Sequence, residues 1–317
     1  MKKTFLFIAT AVLFSWPCLI WAISYETNTN QTAEGPAPTS EQQTQNAVQP
    51  VMSPTFAMAN SCINSSMSAI TSRASEIRKG LQFKNPVLSP GVTYRSVNDS
   101  SPGGFGGNEF GGDISLDADV YDGLVMGVLY QHVYRGASNS TGTSEHLDSN
   151  GVSLYSAKRF YDLLNVGLSY NYANSYHRLS RAVTSNLDRD SHGFTMFAGL
   201  SDKKGKWSWS LTPSFGYVRD LYDQQKDLDT GRVSVDGSLG YDITKYVSLT
   251  AVFGYHNFPI QDTFPDTTIR DDDYWNIGPR LQFYPTDTLT VTLDFDSQEG
   301  YKDYKAYTLR VGVGIAF

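Results

Sequence analysis

Cysteine is almost absent: this chain of 317 residues has only Cys18 and Cys62. Cys18 lies in an N-terminal segment with the features of a cleaved leader, so the mature chain keeps one thiol. That excludes an internal disulfide and a multi-cysteine metal site, and Cys62 reads as a sheltered free thiol. Long apolar runs are also lacking. Past residue 22 no stretch is apolar enough to be a membrane helix. Basic excess is missing, with 25 Lys+Arg against 32 Asp+Glu, which argues against a nucleic-acid partner. No internal repeat of solenoid length occurs either.

What is present begins with export. Met1-Lys2-Lys3 is a positive n-region, Thr4 to Ile20 is apolar, and Ala22 supplies a small residue for cleavage. Residues 1–22 read as a secretory signal peptide. Pro17, in front of Cys18, is not the small residue that a lipid-attachment cysteine wants. Residues 23–59 are rich in Gln, Asn, Thr, Pro and Ala. They cannot bury enough apolar surface to offset ordering, and are expected to be a disordered linker.

Residues 60–84 change character. Ile63, Met67, Ile70, Ala74, Ile77 and Leu81 recur at spacings of four and three, one stripe of a helix. The remaining surface is mostly small and polar. A helix of about twenty residues is roughly 30 Å long, close to the hydrocarbon thickness of a bilayer. Such a slim helix suits the inside of a pore, and the same stripe would also serve a periplasmic or self-associating helix. The pore is the expectation because the remainder of the chain is patterned as strands.

From about residue 88 to Phe317 the pattern has period two. Leu164, Val166, Leu168, Tyr170 and Tyr172 alternate with Asn165, Gly167, Ser169 and Asn171; Leu289, Val291, Leu293 and Phe295 alternate with Thr288, Thr290, Thr292 and Asp294. Ile114, Leu116, Ala118 and Val120 form a similar apolar row. Tight turns fall near Asp122-Gly123, Tyr161-Asp162, Lys203-Lys204-Gly205, Thr244-Lys245 and Thr286-Asp287. Longer polar loops are expected near 98–108, 136–147, 174–191, 219–231, 257–273 and 297–303, which makes twelve strands. A membrane protein without a spanning helix must be a closed barrel, and outer-membrane barrels have even strand counts with short turns at one end and longer loops at the other. Aromatics near strand ends, among them Phe160, Trp207, Tyr241, Tyr274 and Trp275, fit interfacial girdles.

The chain stops on a strand, Arg310-Val-Gly-Val-Gly-Ile-Ala-Phe317, with an aromatic last. Arg310, Gly312, Ile315 and Phe317 resemble the C-terminal assembly signal of Gram-negative outer-membrane barrels. Linker, lone helix and twelve-stranded barrel together resemble the translocator domain of autotransporters. Phe110 to Tyr130 is similar to that family's Gly-rich strand–turn–strand, and Gly151 to Tyr172 to its next hairpin. The resemblance covers about residues 61–317. It implies an all-β fold, a twelve-stranded antiparallel transmembrane barrel preceded by one α-helix inside the lumen. It further implies insertion by the barrel-assembly machinery after Sec export, contact with outer-membrane lipid and lipopolysaccharide, and a monomeric barrel. It brings no cofactor. The chain departs from the family in two ways. Residues 23–59 are far too short for a usual passenger, and no Asn-Asn pair offers a self-cleavage site in the helix.

Catalytic readings are weaker. His146 and Ser149 suggest an outer-membrane phospholipase, but a spacing of three puts them on opposite faces of a strand. His132, His177, His192 and His256 show no metal-ligand spacing, and Asp271-Asp272-Asp273 reads as a solvated loop. No catalytic, cofactor or metal residue is assigned. Arg95, Asp117, Asp119, Asp236, Arg280, Asp294 and Arg310 are expected to line the lumen, with mixed signs that form no selectivity ring. The function expected is that of a translocator or surface anchor for the N-terminal segment. The alternatives are a small diffusion channel and, more distantly, an outer-membrane hydrolase.

Overall fold

The computed structural model describes residues 84–99, 106–121, 123–138, 144–160, 163–180, 184–223, 227–262, 273–299 and 304–317. The signal peptide, the linker and the helix stripe Ile63–Leu81 lie outside the described residues, as does Cys62. The strands are β1 (Lys84–Asp99), β2 (Gly106–Tyr121), β3 (Leu124–Ser138), β4 (Ser144–Phe160), β5 (Leu164–Ser180), β6 (Thr184–Lys204), β7 (Trp207–Tyr222), β8 (Leu228–Thr244), β9 (Val247–Gln261), β10 (Asp273–Thr286), β11 (Leu289–Glu299) and β12 (Tyr304–Ala316). Each pairs antiparallel with the next, and β1 pairs with β12, so the sheet closes into a barrel.

Period two decides which face is which. Leu154 is 59% exposed, while its neighbours Ser153 and Tyr155 are 0% and 2% exposed. Val92, Ile114, Leu116, Val128 and Leu168 are likewise exposed, and Asp113, Ser115, Asp117 and Asn171 are buried. Polar groups inside and apolar groups outside invert the arrangement of a soluble barrel. That outer surface is stable only against hydrocarbon, and closure leaves no strand edge unpaired in it.

The tight turns fall within a residue or two of their expected places. Gly123 and Gly205 take φ of 65° and 63° there, a left-handed conformation that glycine adopts without penalty and that two-residue hairpins require. At the other end the strands overrun the expected loops. β5 continues to Ser180 and β6 starts at Thr184, so most of the stretch 174–191 is ladder. Polar side chains paired across strands explain this: Tyr172 Oη donates to Asp190 Oδ1 at 2.9 Å, as does Asn174 Nδ2 at 2.9 Å. Neither face there is apolar, so hydropathy mistakes it for loop.

Two further corrections concern single positions. The pairing of β2 with β3 shifts register between Asp119 and Tyr121, so Tyr121 takes the outward position and Val120 is buried. Tyr274, expected in the girdle, is 2% exposed inside the barrel, because Trp275 beside it takes the outward slot. Inside, Tyr155 lies over Gly127, where a Cβ would sit 2.2 Å from the ring. The missing side chain makes room for the ring, whose hydroxyl reaches Asp117 Oδ2 at 3.2 Å.

Candidate functional site: the barrel lumen

The lumen is lined by polar side chains that hydrogen-bond along the wall. Near the long-loop end an arc runs from β3 to β7. Glu145 meets Arg135 Nη2 at 3.4 Å and His177 Nε2 at 2.7 Å. Asp220 meets Arg189 Nη1 at 3.8 Å and accepts a short hydrogen bond from Ser191 Oγ. A second arc runs from β8 to β11. His256 Nε2 lies 3.5 Å from Asp236 Oδ1 and donates to Asn276 Oδ1 at 2.7 Å; Asn276 Nδ2 in turn donates to Asp296 Oδ1 at 2.9 Å. Tyr274 stacks on His256 with ring centroids 4.4 Å apart. A third arc joins β11, β1 and β2: Arg95 Nη2 donates to Gln298 Oε1 at 2.7 Å, and Arg95 Nη1 lies 4.0 Å from Glu109 Oε2.

Nearer the turn end, Arg280 pairs with Asp294 between β10 and β11. Arg310 on β12 donates to Asp113 Oδ2 on β2 at 2.7 Å, passing over β1. That reach depends on Gly91, where a Cβ would sit 2.8 Å from Asp113 Oδ1 and 3.1 Å from Arg310 Nη2. Contacts between strands two apart occur on the concave face of a barrel. Ser149 and Ser175, Ser210 and Ser238, and Ser214 and Ser234 share hydrogen bonds of 2.9, 2.7 and 2.6 Å.

Every lumen residue named from the sequence sits on this inward face. Arg95 and Asp117 are buried; Asp119, Asp236, Arg280, Asp294 and Arg310 are half-buried. The reading missed Glu109, Asp113, Arg135, Glu145, His177, Arg189, Asp220, Arg232 and Asp296. Several of these fell in stretches taken for loops. Extending the period-two parity along each strand from its apolar row would have found them. Burying charges is costly unless each is paired, and removing one partner of a buried pair typically costs about 3–5 kcal/mol.

The terminal strand joins the wall. Gly312 pairs with Gly91 on β1 and Thr292 on β11, and Ile315 pairs with Leu88 and Leu289. Phe317 N donates to Pro86 O at 3.0 Å, and its ring is 72% exposed on the outer surface. His146 and Ser149 do lie on opposite faces. His146 Nδ1 is 3.3 Å from Tyr134 Oη outside, while Ser149 is buried beside Ser175. His132 and His192 are also outside, against Asn150 and Tyr170 at 3.0 and 2.8 Å.

A closed twelve-stranded barrel with an apolar exterior and a hydrogen-bonded polar lumen defines a transmembrane barrel of outer-membrane type. No protein-family model and no curated sequence matches the chain. Solved structures do. The translocator domain of autotransporter NalP from Neisseria meningitidis aligns over 83% of this chain and 98% of its own, with a TM-score of 0.63 and 11% identity. The β-domain of the Bordetella autotransporter BrkA aligns over 74% and 100%, with 0.62 and 11%. The transport unit of AIDA-I from Escherichia coli aligns over 81% and 98%, with 0.56 and 11%. The chain therefore has the fold of autotransporter translocator domains.

Proposed function

We propose that this chain is an autotransporter-type translocator or surface anchor of a Gram-negative outer membrane. It would be exported through Sec, inserted by the barrel-assembly machinery and monomeric, with its N-terminal segment passing through the lumen. One observation carries the reading: nearly the whole of each of three translocator domains aligns with this barrel, whose wall presents mixed, paired charges rather than a ring of one sign. A lining of that kind suits a polar polypeptide better than a selected ion. Arg310, Gly312, Ile315 and Phe317 act as the assembly signal. The tight turns face the periplasm and the longer connections the outside, as is general for such barrels. No catalytic step is assigned, since His146 and Ser149 lie on opposite faces.

Single-channel conductance tests this. Because Lys84 already belongs to β1, the deletion should stop at residue 83. Removing residues 23–83 should leave a folded barrel with larger conductance and faster leakage of small solutes. Unchanged conductance would mean that nothing from that segment occupies the pore, and the diffusion-channel reading would replace this one.

A further inference from the structure

At the tight-turn rim, lysine ammonium groups lie over aromatic rings. Lys158 Nζ is 5.7 Å from the ring centroid of Tyr121 and 5.5 Å from that of Phe160. Lys206 is 5.7 Å from Tyr241, and Lys245 is 4.6 Å from Tyr246. All four rings are exposed. Lys203, on the same rim, is neutralised by Asp242 at 2.7 Å. Among the described residues no carboxylate is within ion-pair reach of Lys158, Lys206 or Lys245.

Lys158 is the most telling. It points outward on β4, opposite Leu124 on β3 and Val166 on β5. An ammonium among apolar side chains on a lipid-facing wall needs water or an anion at the interface. A ring face orients the cation without neutralising it. An ammonium with no carboxylate in reach among the described residues, on a surface flanked by exposed rings, matches a phosphate joined to an apolar body.

We propose that the tight-turn rim binds anionic glycerophospholipids, with Lys158, Lys206 and Lys245 each meeting a headgroup phosphate and the rings packing on the glycerol and upper acyl chain. The proposal rests on the membrane-spanning reading above and deepens it.

The full-length chain in detergent can be titrated with phosphatidylglycerol and phosphatidylcholine and observed by native mass spectrometry. The unaltered chain should retain phosphatidylglycerol at least about threefold better. The triple variant Lys158→Gln, Lys206→Gln, Lys245→Gln should lose that preference, and Lys203→Gln should keep it. Heat-modifiable electrophoretic mobility reports whether each variant is folded. Should the triple variant not fold, Lys158→Gln alone must still lower the retained phosphatidylglycerol. Equal retention of the two lipids by the unaltered chain, or undiminished preference in the variants, overturns the proposal. So does displacement by millimolar inorganic phosphate, which would indicate a free-anion site. A barrel that folds in neutral vesicles without lipid preference sinks this proposal alone; a chain that inserts into no vesicle sinks the barrel reading.

Discussion

Gly278 on β10 provides a sharp test of how tightly the wall is built. A Cβ placed there would lie 1.7 Å from the carbonyl oxygen of Phe295 on β11, where ordinary contact begins at 3.4 Å. The obstacle is backbone, so no rotamer change relieves it. β10 and β11 must move apart by about half the gain in contact distance on each side. A backbone hydrogen bond of about 2.9 Å stretched by more than 1 Å is effectively lost. The same opening strains the Asn276–Asp296 hydrogen bond of 2.9 Å. Two or three bonds at roughly 1 kcal/mol each, with buried groups left unsatisfied, put the cost of Gly278→Ala at about 2–4 kcal/mol. Relief of glycine's extra chain entropy returns only about 0.5–1 kcal/mol. Gly136→Ala is the control. A Cβ there meets nothing within 4 Å, so only the entropy effect remains, and that variant should be neutral or slightly stabilised. Urea unfolding of barrels refolded into vesicles, followed by heat-modifiable mobility, gives both midpoints. Equal midpoints for the two variants would refute the reasoning, because the clash would then have relaxed without breaking the ladder.

Arg310→Ala should cost about 3–5 kcal/mol by stranding Asp113, whose side chain is 3% exposed; adding Asp113→Asn should recover part of that, and strictly additive losses in the same unfolding assay would show the pair is uncoupled. Deleting Phe317 removes one backbone hydrogen bond and an exposed ring, so refolding in vitro should change by only about 1 kcal/mol. Assembly in cells should fall much further, as it should for Ile315→Asp, and undiminished folded barrel in the outer membrane would show that no signal resides there. In a Cys62→Ser background, a cysteine at Asp271 should react with an impermeant reagent on whole cells and one at Lys204 should not; the reverse labelling would invert the barrel.

The period-two rows and turn chemistry gave the twelve strands and the five tight turns, and the signal peptide and terminal aromatic then turned the apolar rows toward lipid. Alternation and turn chemistry are local properties, and a residue such as Leu154 or Asn165 carries its face assignment in its parity. Closure, partners and height were not local. Arg310 meets Asp113 only because β12 returns to β1 and Gly91 leaves a gap between them. Arg135, Glu145 and His177 come together only because polar strands continue past the apolar band, where hydropathy carries no signal and cross-strand hydrogen bonds alone maintain the ladder. One register shift moved Val120 from the outer row to a buried place, since a single extra residue reverses every side chain beyond it. The sequence determined which residues face lipid; the closed sheet decided which charges meet within it.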